Sequence, residues 1–477
     1  MSGLLPVELV FHGEPFDTTA VTHVLRHLAM RVGWQFVPRS RYRLVYATTD
    51  GGEPIPDGLW GAIVIPSSPA VARHLRAACT PIPVVARSDG VPLPFPQEPA
   101  KTHERRPGWL AADVVAGAHA SLNLWYEQRQ RPAATDGWIT YADDWMARAG
   151  FTEPQPFADM WLGLIHEAAR QLGWPTPDPA GPFTIVVSHD VDYLPRRWDQ
   201  GLPRLLRALY RQVAMRRRPL DAMRLLRRYL AAVGRGRLPY DNLSRIIAEE
   251  RRHRARSSFQ FVVAPQSRYD PGYRQHAVPW RQLDAEWEVC LHGSYPAART
   301  PGALASERAS LERLSGRTIH GYRQHYLNFE PAGLFREVAA AGLRYDMSVG
   351  YNDCSGPRAG TYFPFKPYDL EAAQPYPFWE IPFVLMDTTL ATTYRFTAAD
   401  ALQHARAVLE PVMAAAGCVA IIWHQEQCGG LLDPGFDRVY FDLLAALAAR
   451  GGRLTSGAAL LPELDAAWAA TVEEPQP

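Results

Sequence analysis

Short apolar runs alternate with amphipathic stretches along most of the chain. In the first hundred residues, 7–11, 44–47 and 62–66 read as strands, and 18–31 repeats its apolar positions at the helical period. This predicts a small α/β unit over residues 1–105. Residues 92–106 are rich in proline and charge, as linkers are. From Trp109 to Trp174 the pattern is mainly helical, clearest over 157–172, which predicts a helical connecting region over 106–181. The stretch PTPDPAGP at 175–182 interrupts any regular element, and the main domain boundary is expected there, with a larger domain over 182–477.

Beyond Pro182, seven β-rich runs recur with helical runs between them: 183–188, 258–264, 288–291, 318–322, 344–348, 380–385 and 418–423. Strands alternating with helices at this spacing predict an α/β fold, a parallel β/α barrel. Helices are expected over 331–341, with Pro331 at its start and Gly342 as its cap, and over 399–416. One helical insertion, 203–233, stands between the first two strands. It carries eight arginines from Arg204 to Arg227, then Arg228, and within it only Asp221 opposes them. That is a solvated face, or a surface facing anions or lipid headgroups beside the site.

Composition changes this picture little. The 477 residues are 47% apolar and 21% charged with a formal charge of +1, so overall charge gives no reason to expect a nucleic-acid or membrane-surface partner, and any such partner has to come from a local patch. Only Lys101 and Lys366 are lysines, a bias that fits a GC-rich coding sequence and carries no function. Five scattered cysteines (Cys79, Cys290, Cys354, Cys418, Cys428) suit neither a disulfide framework nor a thiolate metal site. Residues 1–13 lack a signal-peptide pattern, and no run approaches the ~18–20 apolar residues of a membrane span, so a cytoplasmic protein without a transmembrane segment is expected.

In a parallel barrel the functional residues gather at the C-terminal ends of the strands. The first strand runs into His189-Asp190-Val191-Asp192, the third into His292-Gly-Ser-Tyr, the fourth into Arg323-Gln-His325-Tyr326 and the seventh into Trp423-His424. Asp and His are donors suited to zinc or a similar divalent ion, and three such donors with an open position are what a hydrolytic metal needs. Asp190 and Asp192, two apart on an extended strand, point to the same side. One carboxylate can then hold the ion while the other takes a proton, with a nearby arginine, Arg323, keeping that base ionised.

The ordered set SHDVD at 188–192, LHGSY at 291–295, RQHYL at 323–327 and Trp423-His424 resembles the polysaccharide deacetylase (NodB homology) family, as a divergent branch of it. The resemblance covers roughly residues 182–461. It implies a distorted (β/α)7 barrel, a divalent metal held by one Asp and two His, and hydrolysis of an acetyl group on a sugar. Asp190 matches the family's base. The family's adjacent aspartate ligand is replaced by Val191, so Asp192 is taken as the ligand. His292 matches the first metal histidine, and Pro296 stands where the second would be; His325 is the expected replacement, with His189 and Ser294 as other candidates. Arg323 resembles the base-orienting arginine, and His424 the late histidine that protonates the leaving amine. The expected catalytic set is therefore Asp190, Arg323 and His424, and the expected metal set Asp192, His292 and His325.

The implied substrate is an acetylated amino sugar or other carbohydrate, in a cytoplasmic precursor such as a nucleotide-linked or lipid-linked sugar. Trp423, Tyr295 and Tyr326 offer apolar faces to a sugar ring or to packing. Two alternatives stand beside this reading: hydrolysis of another C–N bond such as a cyclic amide, and a catalytically inactive carbohydrate-binding protein.

Overall fold

The computed structural model describes residues 4–49, 61–77, 80–86, 91–96, 107–130, 140–177, 181–194, 197–263, 265–270, 280 and 283–473. Cys79, the linker residues 97–106, residues 178–180 of the boundary stretch and Ala264 of the second run lie outside them.

The N-terminal strands form a four-stranded parallel sheet in the order Trp34–Phe36, Leu5–His12, Arg43–Thr48, Ile63–Ser67. Its strands Arg43–Thr48 and Ile63–Ser67 are apolar and buried on both faces, as parallel strands covered on both sides must be. Leu44, Tyr46, Ile63 and Ile65 face the main core, while Val45, Ala47, Ala62 and Val64 form a smaller cluster behind. The helix Thr18–Val32 starts where the Asp17 carboxylate accepts the Ala20 N–H at 3.0 Å. It stops at Gly33, whose φ of 68° lies in the left-handed region that glycine tolerates.

Helices Val114–Leu122 and Phe157–Gln171 join this sheet to the larger unit, and one apolar core runs through all three. Two ion pairs span the junction: Arg31 to Asp159 at 2.6 Å, and the bidentate, fully buried Arg358 to Glu127 at 2.5 and 2.9 Å.

The larger unit is a distorted parallel barrel. Its sheet runs in the order Trp379–Glu380, Tyr345–Asp346, Gly321–Gln324, Glu288–Gly293, Ser258–Phe261, Thr184–Val191, Cys418–Ile422, Phe383–Met386. The two ends of that path are neighbours in sequence. Trp379–Glu380 pairs with Tyr345–Asp346, and Phe383–Met386 pairs with Cys418–Ile422. The expected sixth strand, 380–385, is thus one run broken at Ile381-Pro382, where proline has no N–H to give the ladder, and its halves close the barrel between the fifth and seventh strands. A further strand, Arg453–Thr455, which the sequence pattern did not suggest, pairs with Thr184–Val186.

The insertion folds as helices Leu202–Tyr210 and Pro219–Gly234 joined through a wide turn at Arg211–Met215, close to the expected 203–233. Its charge is opposed by more than Asp221. The barrel's Glu426, Asp433 and Asp437 pair with Arg204, Arg211, Arg216 and Arg228 at 2.6–3.5 Å. Among the described residues no helix is long and apolar enough to cross a membrane, and Cys290, Cys354, Cys418 and Cys428 are unbridged.

Candidate metal centre and active site

The first barrel strand keeps its period-two alternation to the end, which decides what reaches the barrel mouth. Ser188, Asp190 and Asp192 come up on the interior side. His189 goes to the other, where Nδ1 donates to the Trp423 carbonyl at 2.7 Å and Nε2 lies 2.9 Å from Glu250 and 3.0 Å from the Tyr440 hydroxyl. His189 is therefore a wall residue tied into the surrounding helices. Ser294 is equally occupied, donating to Glu307 at 2.5 Å.

Three donors converge over the interior. Asp192 Oδ1 lies 3.5 Å from His292 Nε2, Asp192 Oδ2 lies 3.7 Å from His325 Nε2, and the three donor atoms lie within 4.8 Å of one another. Tetrahedral ligands at about 2.1 Å from a zinc ion stand about 3.4 Å apart, so the spacing suits an ion of that size. Asp192 Oδ1 is buried without a hydrogen-bond partner, an orphaned acceptor that a cation would satisfy.

Both imidazoles are oriented from behind. His292 Nδ1 lies 3.0 Å from the Arg323 carbonyl, which can only accept, so Nδ1 carries the proton and Nε2 faces Asp192. His325 Nδ1 lies 3.1 Å from Asp270 Oδ1, a carboxylate also held by the N–H groups of Gln266, Ser267 and Tyr295. Burial works against a charge on His325, but Asp192 and Asp270 outweigh it and hold its pKa up to about 9, a site that favours positive charge. The chain turns sharply just after it: Tyr326 (φ 57°) and Leu327 (φ 51°) are consecutive non-glycine residues in the left-handed region. Such backbone typically costs ~1–3 kcal/mol per residue.

Two further groups flank the donors, each with its own partner. Arg323 is fully buried. Its Nη1 contacts Asp190 Oδ1 at 2.5 Å, Nη2 donates to Ser188 Oγ at 2.7 Å, and Nε donates to the Met347 carbonyl at 3.0 Å. Burial opposes ionisation of Asp190, yet Arg323, with His292 and His424, holds its carboxyl below the usual range. The other oxygen, Oδ2, is 3.7 Å from His292 Nε2. Across the donors, His424 Nε2 lies 3.6 Å from Asp192 Oδ2. Burial would lower the His424 pKa, but Asp387, 2.7 Å from its Nδ1, raises it well above the ordinary value.

Asp190, Asp192, His292, His325 and His424 line one cavity of about 810 Å³, large enough for a sugar-sized ligand, with Arg323 and Asp387 behind its wall. Tyr326, 44% exposed, lies at its wall with Tyr269, while Trp423 is fully buried against Phe436 and Tyr440 and offers no face to a ligand. Arg204, Arg207 and Arg211 of the insertion also line it. All six residues expected at the site meet here. Sequence reasoning missed Asp270 and Asp387. Asp387 directly follows the apolar run Phe383–Met386, the same strand-end signal that marked the others; Asp270 sits in a loop with no pattern to flag it.

No protein-family model and no curated protein matches the chain. Solved structures of deacetylases align with about three fifths of it. A Mycobacterium smegmatis structure provisionally named a polysaccharide deacetylase aligns at 17% identity, covering 61% of this chain and 93% of that one, with a TM-score of 0.39. The peptidoglycan deacetylase PdaC of Bacillus subtilis, in a mutant form, aligns at 13% identity over 60% and 93%, TM-score 0.28. A mutant of a CE4 family pseudoenzyme with restored activity aligns at 10% identity over 61% and 73%, TM-score 0.30. At these values the likeness is one of outline, and the chemistry has to be read from the residues themselves.

Proposed function

We propose that this chain is a metal-dependent hydrolase that removes an acetyl group from the nitrogen of an amino sugar, in a cytoplasmic precursor rather than a finished polymer. The observation that carries the reading is the pairing of a clamped base, Asp190 on Arg323, with a clamped acid, His424 on Asp387, about one three-donor site. A divalent ion held by Asp192, His292 and His325 would supply a Lewis acid, lowering the pKa of water and polarising the acetyl carbonyl.

The chain's own groups do the proton work. Asp190, with Oδ1 engaged by Arg323, offers Oδ2 to a proton of the attacking water and stays ionised at neutral pH. The water oxygen bonds to the carbonyl carbon. The C–N bond then breaks as His424 Nε2 passes its proton to the departing nitrogen, leaving acetate and a free amine. An amine leaves poorly unless protonated, so an acid separate from the base is required. Asp387 stabilises the imidazolium before transfer. A carbohydrate-binding module has no use for both groups, which favours the enzyme.

The test is acetate release from neutral, nucleotide-linked and lipid-linked N-acetyl amino sugars, on protein whose metal content is measured. Acetate release abolished by chelation and restored by Zn²⁺ is expected. Ring opening of cyclic amides without acetate release would reassign the bond, and metal-loaded protein that binds sugars without turnover would make it a binding protein.

A further inference from the structure

Of the fifteen large apolar side chains left exposed among the described residues, ten lie between Trp198 and Leu230. The helical pair has an inner face that is properly packed: Leu205, Ala208, Leu225 and Tyr229 form a small core with Tyr240 and Leu431. Its other side carries a second apolar set. Leu206 and Tyr210 stand four apart on the first helix, with Val213 in the wide turn that follows it; Leu220, Met223 and Leu230 recur at three and seven on the second, and each of the six is at least half exposed. Helical spacing makes each set a stripe.

The charges around these stripes are in excess of one sign, the acid Asp199 beside Trp198 being paired with Arg197 at 3.0 Å. Within 203–233 the sole acid is Asp221, and it is paired with Arg224 at 2.8 Å. Arg217 and Arg227 are exposed and form no ion pair with any described residue. An apolar stripe edged by arginines, with aromatic Tyr210 on it and Trp198 at its base, complements an interface that is apolar below and anionic above. An ordinary protein surface, mixed in charge, is a poorer match.

We propose that this helical pair seats on an anionic bilayer surface, its outer apolar stripes at the boundary of headgroups and acyl chains and Arg217 and Arg227 on the headgroup phosphates. The same element lends Arg204, Arg207 and Arg211 to the cavity wall, so the docked face and the cavity belong to one structural piece. The docking does not depend on which bond the barrel hydrolyses.

Sedimentation of the full chain with vesicles tests this, using phosphatidylcholine alone and phosphatidylcholine mixed with phosphatidylglycerol. Binding to the mixed vesicles is expected to be at least about tenfold tighter at low salt and to weaken as salt rises. Leu220→Ser with Leu230→Ser should remove binding to both, and Arg217→Gln with Arg227→Gln should remove the preference for the anionic vesicles. Circular dichroism and the thermal midpoint should stay unchanged in both double variants, because these side chains face solvent. No binding to mixed vesicles, or binding that neither double variant alters, overturns the proposal. A chain that is dimeric without vesicles and becomes monomeric on Leu220→Ser with Leu230→Ser also overturns it, since a second copy then covers the face.

Discussion

His424 Nδ1 stands 2.7 Å from Asp387 Oδ1, and the other oxygen of the same carboxylate accepts the His424 backbone N–H at 3.0 Å. One buried aspartate thus fixes the ring's orientation, its tautomer and its charge. The proton on His424 is present below its raised pKa and is lost as pH rises through it. Asp190, with a lowered pKa, is in its basic form above that value and loses it only as pH falls below the usual carboxylate range. The pH profile of kcat/KM is therefore expected to be flat through neutrality with an alkaline limb set by His424. Asp387→Asn should move that limb to lower pH, and an unmoved limb would separate His424 from the acid step.

His424→Ala should slow amide substrates by about 10²–10⁴-fold and spare activated acetyl esters, whose leaving groups need no proton. Steady-state rates on matched amide and ester pairs check this. An equal loss on both contradicts the leaving-group role.

Asp190→Asn should keep metal near the wild-type level and lose about 10²–10⁴ in rate. His325→Ala and Asp192→Asn should instead lose the ion, and Asp270→Asn, which reaches the ion through His325, should weaken metal affinity by about 10–100-fold. Metal content after dialysis against a weak chelator reads all four. An Asp190 variant that comes out empty would exchange the two aspartate roles.

Arg207 lines the cavity and forms no ion pair with a described residue. Arg207→Gln is expected to raise KM for a phosphate-bearing sugar while leaving a neutral one unchanged. Parallel Michaelis curves for the two substrates give the answer, and equal effects would make this arginine structural.

Glu250 is fully buried and accepts from Trp287 at 2.6 Å, Tyr440 at 2.7 Å and Ser257 at 2.8 Å, besides facing His189. Glu250→Ala strands those donors and should cost about 3–5 kcal/mol. The shift of the urea midpoint measures it.

Most of the candidate site's geometry was legible because strand geometry converts sequence spacing into facing. Asp190 and Asp192 are two apart and share a side; His189, between them, goes behind the wall. His325 could be placed near His292 because their strands are neighbours, with Leu291, His292 and Gly293 in register with Tyr322, Arg323 and Gln324. What the pattern hides is contact between segments distant in sequence. Asp270 reaches His325 from a loop, the Asp346–Glu380 register depends on how the broken sixth strand closes the barrel, and Arg453–Thr455 is too short for its alternation to register. The insertion's charge was visible, whereas its pairing with Glu426, Asp433 and Asp437 required the fold.

On the proposed reading Asp192, His292 and His325 would hold one ion while Asp190 stays free for the proton. Anomalous diffraction from crystals of the zinc-loaded chain measures this directly. A single peak about 2.0–2.2 Å from Asp192, His292 Nε2 and His325 Nε2, with Asp190 still on Arg323, is the predicted result. An ion ligated by Asp190, or one held without His325, would contradict it.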